Sequence, residues 1–313
     1  MPRDENLTAC TMVNGVLVID KPAGLTSHDV VNRIRTVVEQ KRVGHAGTLD
    51  PIATGVLPLC LGGATRIVQL LQQGHKTYRA TLEFGLITDT QDITGTVMER
   101  RAIPNLAAPE IEEVLGRFRG DIEQVPPLFS AIKRDGVPLY RLARRGRDVY
   151  RPPRKISIYR LERVDLSGTQ MTFEVESSKG TYVRTLCHDI GLVLGCGATM
   201  TALRRLASEP FSESDAVPLE KITSLEDVRT ALIQTDRALE FVPALYVNSE
   251  AVRKVLHGQP VGKEMLTGTV PEVGAWVRLY DEDGTFLAVG KIAEHNGMIK
   301  AQPKRVLLEE MPE

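Results

Sequence analysis

Gly44-His45-Ala46-Gly47-Thr48-Leu49-Asp50-Pro51-Ile52-Ala53-Thr54-Gly55 is the stretch on which the reading of this chain turns. Gly44 and Gly47 precede an Asp-Pro step and Gly55 follows it, which describes a tight loop whose main chain can approach a ligand closely. His45 and Asp50 are the side chains able to project from it. Composition alone favours a plainer alternative, in which Asp50 caps a turn before Pro51 and His45 is a surface residue.

Outward from this loop, strand and helix periods alternate. Val16–Ile19 is a short buried strand, and Ser27 is the expected N-cap of a helix with Val30, Val31, Ile34, Val37 and Val38 on one face. Tyr78, Ala80, Leu82 and Phe84 alternate with Arg79, Thr81 and Glu83, the period of a half-buried strand. Pro109 opens a helix with Ile111, Val114, Leu115 and Phe118 inward. Ile156–Ile158 and Met171–Val175 are strands expected to pair, and Thr181 to Leu194 is a helix ended by Gly195. Trp276–Tyr280 and Thr285–Val289 flank an Asp-Gly turn and predict a β-hairpin, with a further strand at Met298–Lys300. The fold class is therefore α+β, with a small β-rich module at the C-terminal end. The acidic stretch containing Pro210, Pro218 and Pro243 reads as a boundary zone, and the division is set at 1–242 and 243–313.

The 313 residues (34.5 kDa, 42% hydrophobic, 25% charged) suffice for one large domain or two unequal ones. Lys and Arg total 39 against 40 Asp and Glu, a net charge of −1, which excludes a protein basic throughout that coats nucleic acid. The charge is uneven, however: Lys133–Arg163 holds eleven basic and three acidic residues, and Glu209–Glu240 eight acidic and three basic. The basic strip is either a solvated face or a phosphate-binding surface. No apolar run approaches the roughly 18 residues of a membrane span. The N-terminus lacks a secretory pattern, and Cys10, Cys60, Cys187 and Cys196 form no CxxC pair. A cytoplasmic location is expected.

Phosphate-loop, dinucleotide, zincin and nucleophile-elbow signatures are absent. Cys187-His188 with Cys196 is a poor zinc set, because adjacent helical residues point apart and no fourth ligand stands at a standard spacing. Ser178-Lys179-Gly180-Thr181-Tyr182-Val183-Arg184-Thr185 runs from a strand end into a helix. There Tyr182 suits base stacking and Arg184 suits a carboxylate, although each is equally acceptable as a packing residue.

Taken together, the motifs resemble one family. Lys21-Pro22 with Gly24–Asp29, the Gly44–Gly55 loop, Lys76–Arg79, Thr88–Gly95, Gln124–Ala131, Gly180–Thr185 and Leu203-Arg204-Arg205 are similar, in order, to the TruB family. Its members make pseudouridine at position 55 in the T loop of transfer RNA. The resemblance covers roughly residues 13 to 211, and the C-terminal module resembles a PUA-like β domain. It implies the pseudouridine synthase fold, a mixed and mostly antiparallel sheet with flanking helices, and a cofactor-free isomerisation without a metal.

By the same resemblance Asp50 is the essential aspartate, attacking C1′ or removing a proton at C2′, and is assigned as nucleophile. Tyr78 stacks on the uracil and helps remove the C5 proton. Arg184 pairs with Asp50 and keeps it anionic. His45 fills the space left by the flipped nucleotide, Tyr182 and Leu203 line the uracil pocket, and Lys21 and Pro22 support its floor. Arg144, Arg145 and Arg147 in the basic strip would meet the T-arm backbone. The expected partner is transfer RNA, with no membrane and no obligate protein partner. Other classes compete: a non-catalytic RNA-binding or RNA-folding protein, a glycosidase using Asp89 or Asp92 as second carboxylate, and a guide-RNA-dependent synthase. The intact Asp50, Tyr78 and Arg184 set and the lack of a long basic tail favour the stand-alone enzyme.

Overall fold

The computed structural model describes residues 12–130, 132–134, 136–139 and 149–307. The elements used below are β1 (Gly15–Lys21), α1 (Ser27–Val38), β2 (Val43–His45), β3 (Thr54–Leu61), β4 (Lys76–Phe84), α2 (Ala108–Arg117), β5 (Gly120–Gln124), β6 (Arg154–Ser167), β7 (Gln170–Ser177), α3 (Val183–Val193) and β8 (Ala198–Ser208). The C-terminal part adds β9 (Ala244–Val247), α4 (Ser249–Leu256), β10 (Trp276–Tyr280), β11 (Phe286–His295) and β12 (Met298–Val306).

A ten-stranded sheet organises the larger part, with β1, β3, β8, β4, β7, β6 and β5 side by side and Val217–Pro218 outside β1. The β3–β8 and β1–Val217 pairings are parallel and the other neighbours antiparallel, so the sheet is mixed and mostly antiparallel. Strand alternation divides its side chains. Leu17, Ile19, Leu57, Leu59, Ala80 and Leu82 meet Val30 and Ile34 of α1, Ile111 and Leu115 of α2, and Leu186 and Ile190 of α3. The opposite face, with Val16, Val18, Val56 and Cys60, packs on Ile67, Leu70 and Phe211, and on Val289 of the C-terminal part. That part is a six-stranded sheet built on β9–β12, in which β10 and β11 form the Asp-Gly hairpin, covered by α4. Arg278 joins the two parts by donating to the carbonyls of Val242 (2.8 Å) and Asp236 (3.2 Å). Among the described residues no helix is long and apolar enough to cross a membrane.

The structure corrects the sequence reading in two places. Thr26, not Ser27, is the N-cap of α1: its hydroxyl accepts from Asp29 N–H (3.1 Å) while the Asp29 carboxylate accepts from Thr26 N–H (2.8 Å). Ser27 is thereby freed to turn inward. The helix expected from Thr181 begins at Val183, because Tyr182 is still extended (φ −101°, ψ 104°). The acidic stretch contributes short strands of its own. Phe211–Ser212 and Val217–Pro218 pair into the large sheet, and Val16 and Ile233 exchange two main-chain bonds of 2.8 Å.

Candidate active site

The Gly44–Gly55 loop leaves β2, crosses one end of the sheet and returns as β3. Three side chains pin its main chain. The Ser27 hydroxyl accepts from Leu49 N–H (2.8 Å) and donates to Leu49 O (3.2 Å). Lys21 is fully buried and its ammonium donates to the carbonyls of Pro22 (2.9 Å), Leu25 (2.6 Å) and Pro51 (3.4 Å). Burial lowers the Lys21 pKa to about 8, with Arg205 adding repulsion and Asp50 opposing. Arg205, 1% exposed, donates to Val56 O (2.6 Å) and Gly47 O (3.3 Å). Gly55 lies opposite Arg205 at φ +98°, and a Cβ there would stand 2.3 Å from the Arg205 carbonyl oxygen, so only glycine fits. Asp50 is thus held by its neighbours' backbone rather than by its own side chain, which remains about one-third exposed.

Arg184, in the first turn of α3, reaches this carboxylate: its Nη2 lies 3.7 Å from Asp50 Oδ2. The same guanidinium serves a second acid, with Nη1 3.3 Å from Asp92 Oδ2, and also donates to Phe129 O (2.5 Å) and Thr90 O (3.4 Å). Asp92 is buried and further accepts from Thr90 Oγ1 (2.9 Å), Thr94 N–H (3.0 Å) and Thr94 Oγ1 (2.5 Å). Arg184 is one of several groups that act on the Asp50 carboxyl. Burial pushes the Asp50 carboxyl above the usual range, Arg184 and Lys21 pull it down, Asp92 pushes it up, and the net direction is upward. A partly desolvated carboxylate facing a cation shared with another acid is a candidate functional group.

Of the other anticipated residues, His45 lies on β2, Tyr78 on β4, Leu203 on β8 and Tyr182 just before α3. Cross-strand register sets Lys21 beside Gly55, Gly55 beside Arg205, and Arg205 beside Tyr78, placing the Tyr78 ring, half-buried, on the row that ends at the loop. Leu203 on β8 is 8% exposed, opposite Ala80. Tyr182 immediately precedes α3 with Arg184 6.0 Å from its ring centre, and burial raises its phenol pKa. His45 ends β2. Its Nδ1 is buried without a hydrogen-bond partner, and burial followed by the Arg205 charge lowers its pKa. Pro22 is exposed and contributes its carbonyl to Lys21. Arg144, Arg145 and Arg147 lie outside the described residues. Of the described strip, Arg160 is engaged by Glu162 and Glu174, whereas Arg154, Lys155 and Arg163 are exposed.

Two groups outside the site carry metal-ligand chemistry. Cys187 and Cys196 are buried and their thiol pKa values are raised by burial, away from the thiolate that binds zinc. His75, Glu176 and Glu209 bring ligand atoms within 4.8 Å of one another. There the His75 ring stacks on Tyr159 at 4.1 Å, its Nδ1 meets Glu176 at 3.2 Å, and Glu209 accepts from His75 N–H at 2.9 Å, so protein partners already account for each group.

The roles of Ser27, Asp92 and Arg205 were missed in the sequence. A signal existed for two of them. Thr26 with an acid at Asp29 is a capping box and releases Ser27 from capping. In Arg204-Arg205 strand alternation sends one arginine outward, to Asp20 (2.9 Å) and Glu213 (2.6 Å), and the other inward.

The profile described as "TruB family pseudouridylate synthase (N terminal domain)" matches residues 35–183. "tRNA pseudouridylate synthase B C-terminal domain" matches 184–240, and "Pseudouridine synthase II TruB, C-terminal" matches 243–307. The tRNA pseudouridine synthase B of Syntrophotalea carbinolica is 47% identical over 275 residues, 87% of this chain and 90% of its own. That of Stutzerimonas stutzeri is 41% identical over 304 residues, 95% and 97% of the two chains. Among solved structures, a chain of a Cbf5-Nop10-Gar1 complex is 30% identical with a TM-score of 0.73, covering 94% of this chain and 85% of that one. The fold is accordingly the pseudouridine synthase fold followed by a PUA-like sheet domain. With relatives this close aligned along nearly its whole length, the chain belongs to the TruB family of pseudouridine synthases.

Proposed function

We propose that this pseudouridine synthase isomerises uridine 55 in the T loop of transfer RNA, with Asp50 as the reacting group. The observation that carries the reading is the 3.7 Å approach of Arg184 to an Asp50 side chain that is still one-third exposed. The curated relatives' name supplies transfer RNA as the substrate class. The T-loop position rests on the family resemblance of the motifs.

The target base is flipped out of its loop, at a cost of about a few kcal/mol. His45, lacking a partner for Nδ1, fills the space it leaves. Tyr182, Leu203 and Tyr78 wall the uracil, as aromatic and apolar groups do for unstacked RNA bases. Asp50 attacks C1′ as the N1–C1′ bond breaks, its electron pair passing to uracil N1. The base turns, C5 attacks C1′, and the carboxylate leaves. The C5 proton is then removed with help from Tyr78 and a proton returns to the ring nitrogen, so the net change is an isomerisation. Replacing hydrogen by deuterium at C2′ separates this route from proton removal by Asp50, which alone gives a primary isotope effect. Asp92 is saturated by its donors and Asp89 accepts from Thr96 N–H at 2.8 Å, so neither is placed as the second carboxylate of a glycosidase.

The residues divided here as 1–242 carry the chemistry, and 243–313 contribute to RNA binding. The chain works without an obligate protein partner, metal or organic cofactor, in the cytoplasm. Tritium release from a T-arm hairpin labelled at uracil C5, by the purified chain alone and after chelation, tests the whole reading. Release mapped to position 55 supports it; none without a guide RNA or added protein overturns it.

A further inference from the structure

The first turn of α3 carries Arg184, and Tyr182 stands at its N-cap, yet no side chain of the helix caps it. The four N–H donors that a helix start leaves over must be satisfied from elsewhere. Gln124, the last residue of β5 and 3% exposed, does this for the first of them. Tyr182 N–H donates to Gln124 Oε1 (2.8 Å) and Gln124 Nε2 donates to Tyr182 O (3.0 Å). A primary amide presents one acceptor and one donor side by side, as a neighbouring strand would. The pairing also fixes which end of the amide is oxygen, since the reversed amide satisfies neither group.

The same stretch grips α3 again. Phe129 O accepts from Arg184 Nη2 at 2.5 Å, and Pro126-Pro127 stiffen the chain between the two grips. Arg184 is therefore aimed from three sides: by its own helix, by Phe129, and by the acids it serves.

We infer that Gln124 is a positioning residue for the isomerisation. Its amide fixes the Tyr182 main chain, and with it both the wall of the base site and the angle at which Arg184 meets Asp50. The inference rests on the roles proposed above for Tyr182 and Arg184.

Gln124→Met keeps length and apolar volume but removes both hydrogen bonds. Gln124→Glu keeps the acceptor and, when ionised, has no donor. Single-turnover tritium release with saturating enzyme is expected to fall about 10- to 100-fold for each, the scale of a displacement near 1 Å. Affinity for the T-arm hairpin should stay within about threefold, since phosphate pairing and stacking carry it. A purely structural role would not move the acid limb of the pH–rate profile. Looser aim of Arg184 weakens its pull on Asp50, so that limb should shift to higher pH in Gln124→Met. Should Gln124→Met fail to fold, Gln124→Glu carries the same reading of rate. A folded variant with a parental rate and an unmoved limb overturns the inference, even if it melts earlier. Arg184→Lys run in parallel separates the failures: if it too keeps the parental rate, the site reading is wrong; if it alone loses rate, only the role of Gln124 is.

Discussion

Asp50 and Asp92 share one arginine and have opposite fates. Asp92, in the turn between the paired strands Leu86–Thr88 and Val97–Arg100, is buried, accepts three hydrogen bonds from Thr90 and Thr94, and stands 3.3 Å from Arg184. Asp50, on the Gly44–Gly55 loop, has Arg184 at 3.7 Å, while the bonds that hold its loop in place are made to main chain by Ser27, Lys21 and Arg205. The difference teaches that donors, not the nearby cation, decide which carboxylate stays available. A carboxylate with its lone pairs occupied is a structural anchor; one whose loop is fixed by others is left to react.

Removing the shared cation should break both regions at once. Arg184→Met leaves Asp92 as a buried charge without its partner, which typically costs about 3–5 kcal/mol of stability. Turnover should fall by about three orders of magnitude, roughly 4 kcal/mol of barrier. Thermal melting and single-turnover tritium release check the two effects separately.

Asp92→Asn sharpens the comparison because it should move the two observables differently. The anchor on Arg184 is lost, so the rate at neutral pH should fall about tenfold, roughly 1.4 kcal/mol. Asp92 also raises the Asp50 pKa, so its neutralisation lowers that pKa and the acid limb should move to lower pH. In the parent the Asp50 pKa is raised, so the protonated, inactive form persists to higher pH than for an ordinary aspartate. Activity should be lost as pH falls through that raised value. Arg184→Met should move the limb the other way, upward. Limbs that move in the same direction in both variants would contradict the sharing.

The smallest effect on chemistry is expected in the basic strip. Replacing Arg144, Arg145 and Arg147 with Gln should leave single-turnover chemistry at saturation largely intact. Each arginine–phosphate pairing removed should reduce the slope of log K against log salt by about 0.7–0.9. Filter binding across a salt series measures this, and an unchanged slope would place these arginines on a solvated face.

What the sequence disclosed follows the physics of each element. The alternation from Tyr78 to Phe84 was legible because burial on β4 follows the strand period, and the β10–β11 hairpin because Asp-Gly suits its turn. The strands inside the acidic stretch were not legible because Phe211–Ser212 and Val217–Pro218 are too short to show a period, although both pair into the large sheet. In the site, Asp50 and Arg184 were named, but the intervening geometry was not. That Arg184 serves Asp92 too, and that Gln124 holds Tyr182, depends on side chains meeting across more than fifty residues of chain, which spacing does not encode.

Asp50→Asn, assayed for turnover and for binding on one preparation, tests the central claim most directly. Asparagine keeps the shape of aspartate and cannot act as an anionic nucleophile or base. Folding should survive, because Ser27, Lys21 and Arg205 hold this loop by its backbone. Transfer-RNA affinity by filter retention should be unchanged or slightly tighter, and tritium release should be abolished. A variant that binds normally and turns over within about tenfold of the parent, roughly 1.4 kcal/mol of barrier, would show that Asp50 is not the reacting group.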